Sequence, residues 1–192
     1  MLQNILLTVF FVSTAVAFVG RQLLTKSIRR RQGPILHTIA TPWRWLYERT
    51  GQFIGFAFVT YALAGYPVPG VFSDYWLLKV LGAGLLVFGV VVHLCAKYDL
   101  GSNWTNAKDG PTVYRGRITQ HGLYRYSRNP MYTSTLAMVF GVVCMTQNIF
   151  AIVLWIFLFG YFRHVIIEEE SLLRRTKGRE YTEYCSRVRR FL

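Results

Sequence analysis

Acidic residues are scarce in this chain of 192 residues. It has 9 Asp and Glu against 22 Lys and Arg, a net charge of +13. Cysteine is scarcer still. Cys95, Cys144 and Cys185 are scattered, odd in number and without metal-type spacing, which argues against a disulfide framework or a zinc site. They read as small buried apolar residues. No glycine loop suits a dinucleotide: GAGLLVFG lacks the third glycine at the right spacing and lies inside an apolar run. Linkers, repeats and low-complexity tracts are missing too, so the chain reads as a single domain over 1–192.

Long apolar runs take up most of the sequence. Hydrophobic residues make up 53% of it, and the mean hydropathy is +0.29, above that of an ordinary soluble domain. Residues 2–20, 50–73 and 131–162 carry no charge, and 80–96 carry only His93. Crossing about 30 Å of hydrocarbon takes roughly 20 helical residues. With a hairpin split at Thr146-Gln147-Asn148, the pattern predicts an all-α polytopic membrane protein of five spans, about 2–24, 51–69, 76–97, 131–146 and 148–166. The first run lacks a basic n-region and a small-residue cleavage site, so it reads as a retained helix.

The charges follow the spans. With the N-terminus outside, the loops 21–50 and 97–130 and the tail after 162 fall inside, and Lys79 is the one basic residue left outside. That is the positive-inside pattern. The surplus charge is therefore a topology signal, and no basic stripe stands apart from the helix ends to read nucleic acid. In the first inner loop, Thr41 and Pro42 form a helix start, and Trp43, Trp45 and Tyr47 fit an interfacial belt. Gly82, Gly84 and Gly89 suit close helix packing. In the tail, Tyr181, Tyr184, Cys185 and Val188 share one helix face. This reads as a cytoplasmic amphipathic helix on the inner membrane surface, divided from what precedes it at Gly178.

Polar groups with chemistry gather on the inner side. GLYRYSRNPMY (122–132) sits between two apolar runs with three tyrosines, two arginines and an Asn-Pro step. Arg163 and the run Glu168-Glu169-Glu170 begin where the last span ends. Such residues have two readings on physical grounds alone. Tyrosines and arginines anchor helices at the interface, and a carboxylate run can be a solvated cap offset by Arg174 at i+4 from Glu170. Ionisable groups near membrane depth are also functional candidates.

DLGSNWT (99–105), GLYRYSRNPMY and EEESLLRRTKGREYTEYCSRV (168–188), taken in order, resemble the superfamily of isoprenylcysteine carboxyl methyltransferases and phospholipid methyltransferases. The resemblance covers roughly the C-terminal half. It implies S-adenosylmethionine as methyl donor and a lipophilic acceptor, an isoprenylcysteine-type carboxylate among the candidates, reached from the membrane at its inner face. Carried over residue by residue, it implies cofactor contacts at Gly116, Arg117, Ile118, Thr119, Tyr124, Asn129, Pro130, Met131, Tyr132, Glu169 and Glu170, and a substrate contact at Arg163. No catalytic residue is implied. The sequence departs from the family pattern in three places. Asn129 stands where carboxyl methyltransferases have His. Gly116-Arg117-Ile118-Thr119 replaces a His-x-Leu-Val stretch. Val165 occupies the place of the substrate arginine, two residues after Arg163. GREYTEYCSRV also resembles the tail of NADPH-dependent sterol reductases, which makes such a protein one alternative. A non-catalytic membrane scaffold is another.

Overall fold

A computed structural model describes residues 1–32, 56–101 and 118–191. The Thr41–Pro42 helix start, the aromatic belt at Trp43, Trp45 and Tyr47, residues 102–105 of the first motif, and Gly116 and Arg117 lie outside the described residues.

Regular structure among the described residues is helical: α1 (Leu2–Gln32), α2 (helical over 56–63), α3 (Trp76–Leu100), α4 (Pro130–Thr146), α5 (Ile149–Lys177) and α6 (Arg179–Arg187). Three of them, α1, α3 and α5, are long and apolar enough to cross a membrane, and α4 is a shorter apolar helix. Helix α2 ends at residue 63 and a turn follows, short of the boundary expected at 69; Gly65, at φ +81°, and the Pro67-Val68-Pro69 run suit a turn and oppose a helix.

The tightest helix pair is α3 with α4, and glycine makes it so. A Cβ on Gly82 would lie 2.5 Å from the Gly141 carbonyl oxygen, and one on Gly141 would lie 2.6 Å from that of Gly82. Gly89 approaches the Ser134 carbonyl in the same way, at 3.0 Å. Gly84 faces open space, so two of the three expected packing glycines pack. Leu6 and Phe10 of α1, Val59 and Leu63 of α2, Leu86 of α3 and Met145 of α4 form the buried apolar cluster. Nearer the other end of α1, the buried Lys97 donates to the Arg21 carbonyl (3.0 Å) and to Thr25 Oγ1 (2.7 Å), tying α1 to α3.

The α4–α5 hairpin turns where the sequence predicts. Gln147 adopts a left-handed conformation and exchanges two hydrogen bonds with the Tyr75 backbone, and Asn148 donates to the Pro69 carbonyl. Both side chains are buried, and their bonds close the bundle at the end away from the motifs. Helix α5 leaves Val153, Leu154, Ile156 and Phe157 exposed, as a span does in lipid. Cys95 is exposed, and Cys144 and Cys185 are half-buried. Burial is therefore not what places Cys95: a thiol is apolar enough to face hydrocarbon.

Candidate functional site

The motifs meet at one end of the bundle, where α3 and α5 finish and α4 begins. Asp99, in the last turn of α3, accepts a hydrogen bond from the Leu123 amide at 2.8 Å. That bond holds the 3-10 turn Gly122–Arg125. Gly122 has φ +58°, and a Cβ there would run into the Asp99 carboxylate; both facts require glycine. The turn puts Tyr124 inside and leaves Tyr126 exposed. Thr119 is buried and Ile118 half-buried on the way into this turn.

Next, the chain starts α4 at Pro130, whose ring presets the first helical φ. Asn129 sits at the cap position, yet its side chain makes no cap bond. Its amide nitrogen turns instead to the Arg190 carbonyl (3.1 Å) and Glu170 Oε1 (3.5 Å). The Asn129 amide oxygen has no partner among the described residues. Pro130 is fully buried and shapes the helix start. Met131 is half-buried, and its carbonyl accepts from Ser134 and Thr135.

Helix geometry separates the three adjacent glutamates by about 100° each. Glu168 is exposed and lies 3.3 Å from His164. Glu169 is half-buried, and Tyr132 Oη donates to it at 2.8 Å. The Tyr132 ring also packs on Phe162, with centroids 5.3 Å apart. Glu170 is 4% exposed. Arg190 forks onto it with Nε at 3.1 Å and Nη2 at 2.8 Å, and Arg128 Nη2 lies 3.4 Å away. The carboxylate run is therefore not a solvated cap, and Arg174 does not serve as Glu170's partner: two arginines distant in sequence do.

Helix α6 completes the group. Gly178, at φ +53°, breaks α5 from α6 as the sequence implies. Tyr181 and Tyr184 are 2% and 3% exposed, so the aromatic face of α6 is filled by protein rather than by the membrane. Tyr184 Oη donates to the Tyr124 carbonyl at 2.7 Å. Burial pushes the Tyr184 phenol up to about 12 and raises that of Tyr181 as well. Beyond α6, Arg128 N donates to the Arg189 carbonyl at 2.8 Å, and Ser127 and Arg189 form a parallel bridge.

Of the residues singled out in the sequence, the structure brings together Tyr132, Asn129, Glu169 and Glu170, with Tyr124 joined through Tyr184. Arg163 is exposed and makes no hydrogen bond or ion pair to the described residues. It lies about 120° round α5 from Glu169 and about 9 Å nearer the membrane along the axis. Asp99, Ser127 and Arg128, which lie inside the quoted motifs with no role implied for them, also build the site, as does Arg190, which lies outside them. No spacing rule links position 170 to position 190, so only the folded chain shows that pairing.

The profile of the phospholipid methyltransferase family matches residues 77–179. The chain belongs to this family. A probable protein-S-isoprenylcysteine O-methyltransferase of Oryza sativa subsp. indica is 31% identical over 121 residues, 60% of this chain and 61% of that protein. The Homo sapiens protein-S-isoprenylcysteine O-methyltransferase is 29% identical over 116 residues, 58% of this chain and 39% of that protein. Among solved structures, the eukaryotic intramembrane Ras methyltransferase ICMT (isoprenylcysteine carboxyl methyltransferase) superposes with a TM-score of 0.62 at 19% identity, over 95% of this chain and 65% of that one. This family member thus shares the fold of that enzyme and is an integral membrane protein. It spans about three-fifths or less of the length of these curated relatives. The family match begins in α3 and ends just inside α6, so it takes in the whole constellation from Asp99 to Glu170 and leaves out Arg190.

Proposed function

We propose that the chain is an S-adenosylmethionine-dependent membrane methyltransferase, and that its acceptor is a lipophilic molecule of the isoprenylcysteine-carboxylate type. The observation that carries this reading is the Tyr132–Glu169 pair, a carboxylate set beyond the apolar stretch of a membrane-spanning helix and within the family's matched segment. The proposed topology has five spans, the N-terminus outside, and the site with α6 on the cytoplasmic side.

The residues present fit such a cofactor. Among the described residues Glu169 accepts from Tyr132 alone, which leaves oxygen lone pairs for an ammonium or for ribose hydroxyls. Arg128 Nε is a buried donor without a partner among the described residues, suited to a carboxylate. Tyr124 and Tyr132 contribute ring faces, and the Asn129 amide oxygen is available to a donor. When bound, S-adenosylmethionine supplies a methyl already activated on a sulfonium. Tyr132 holds the Glu169 carboxylate in place, and the protein's main task is to align an acceptor and keep water out. A carboxylate acceptor has no proton to lose, so this reaction needs no general base. Arg163, unpaired among the described residues and nearer the membrane, is the proposed anchor for the acceptor's charge, since a guanidinium forks onto a carboxylate. A lipid tail concentrates the acceptor at the site by about 0.8 kcal/mol per buried methylene.

The test is methyl transfer from labelled S-adenosylmethionine by the purified protein in lipid nanodiscs. Acceptors should be a prenylated cysteine, a phosphatidylethanolamine and the same cysteine without its tail. Transfer to the prenylated cysteine is expected. No binding of S-adenosylmethionine, or transfer to the tailless compound alone, would overturn the reading.

A further inference from the structure

Residues 188–191 lie across the start of α4, and only Val188 among them falls within the motif pattern. Arg190 is their centre. Its guanidinium takes both oxygens of the buried Glu170, and its carbonyl accepts from Asn129 Nδ2 at 3.1 Å and Ser127 Oγ at 3.3 Å. Arg189 adds its carbonyl to the Arg128 amide, and Phe191 stacks on Phe159 of α5 with centroids 6.4 Å apart. One short strap thus grips α5 at Glu170 and α4 at Asn129.

Those two grips lie next to the Tyr132–Glu169 pair. Glu170 follows Glu169 on α5, and Asn129 precedes Tyr132 by one helical turn. The Arg190 side chain is 37% exposed, whereas that of Glu170 is 5% exposed. The arginine thus reaches in from the protein's edge, and solvent screens part of its attraction. Its consequence is therefore mainly local: it sets how α4 and α5 meet where the cofactor is proposed to bind. We propose that Arg190 is a positioning residue for this cofactor site, through which closure of the 188–191 strap is coupled to S-adenosylmethionine binding. This rests on the proposed function, and it adds a residue outside the family's matched segment.

Coupling of this kind is reciprocal: what tightens the strap tightens the ligand, and the ligand protects the strap. The test uses the full chain in nanodiscs as wild type, Arg190→Gln and Arg190→Lys. In the absence of ligand, hydrogen exchange at the Arg128 amide, which donates to Arg189, reports strap opening. It should quicken in Arg190→Gln and slow in the wild type when S-adenosylmethionine is added. The KM for S-adenosylmethionine should rise about ten-fold in Arg190→Gln, with kcat at saturation within about two-fold. Arg190→Lys should fall between, because it keeps the charge and loses the fork. An unchanged KM beside quickened exchange would overturn the proposal, and so would unchanged exchange. A lysine variant no better than glutamine, with kcat and melting temperature falling together, would reduce Arg190 to a structural role. A wild type that does not bind S-adenosylmethionine would sink the proposed function, while the ligand-free exchange data would still report the strap.

Discussion

Tyr132 Oη donates to the Glu169 carboxylate at 2.8 Å and joins the first turn of α4 to the end of α5 across 37 residues of sequence. A half-buried carboxylate with one neutral donor is poorly compensated. It costs stability and leaves lone pairs open to further donors. Glu169→Gln should therefore leave the melting temperature unchanged or raised while weakening S-adenosylmethionine by about 1.5–3 kcal/mol, the loss of a charge-assisted hydrogen bond. Calorimetry on the purified variant checks both. Unchanged affinity would mean that Glu169 is not a cofactor contact.

Glu170 behaves differently, because its charge is already matched. Its side chain is 5% exposed and that of Arg128 is 10% exposed. Removing the carboxylate leaves a buried guanidinium uncompensated, which costs about 3 kcal/mol or more. Glu170→Ala should lower the melting temperature sharply where Glu169→Gln does not. Equal thermal behaviour of the two would contradict the assignment of one as structural and the other as binding.

Helix packing makes a paired prediction. At Gly82 the neighbours of an added Cβ are the Gly141 backbone, Cys144 Cβ and the Met145 nitrogen, all within 2.9 Å. None can swing away, so Gly82→Ala should force α3 from α4 and cost about 1–3 kcal/mol. Gly84→Ala meets nothing within 4 Å among the described residues and should be tolerated. A melt of both variants decides it, and equal effects would rule out the proposed close crossing.

Arg163→Lys separates the acceptor from the cofactor. If the guanidinium anchors a carboxylate, kcat/KM for the prenylated cysteine should drop about ten-fold, the loss of one fork, with S-adenosylmethionine affinity intact. Equal turnover by the two proteins would leave Arg163 as an interfacial anchor.

Alkaline pH should loosen α6. The ordinary tyrosine value is 10, and burial holds Tyr184 up to about 12, with Tyr181 raised in the same direction. Folded chains keep these protons where unfolded ones have lost them. This contribution is thus fully present below about pH 10 and is lost as pH rises toward 12. Titration followed by phenolate absorbance and by hydrogen exchange in α6 should show the two events together. In Tyr184→Phe the loss over that window should be smaller. Protection in α6, corrected for base-catalysed intrinsic exchange, that stays constant to pH 12 would refute it.

Much of this protein is legible without its fold, because hydrocarbon demands it. A charge-free run long enough to cross a bilayer has little choice but helix, which is why α1, α3 and α5 and the turn at Gln147-Asn148 follow from hydropathy. Gly178 and the shared face of Tyr181 and Tyr184 follow from local periodicity in the same way. Other features were decided in three dimensions. Sequence could not show that the face of α6 is filled by Tyr124 and its neighbours, because an amphipathic helix reads the same against lipid or protein. Nor could it show which of three adjacent glutamates is left short of partners and which is braced by two arginines. That division depends on what stands opposite each face of α5: His164 beside Glu168, Tyr132 at Glu169, Arg128 and Arg190 at Glu170. Composition and period report how a segment meets its solvent; only the tertiary structure brings position 190 back to position 170, because no local rule acts across a chain reversal.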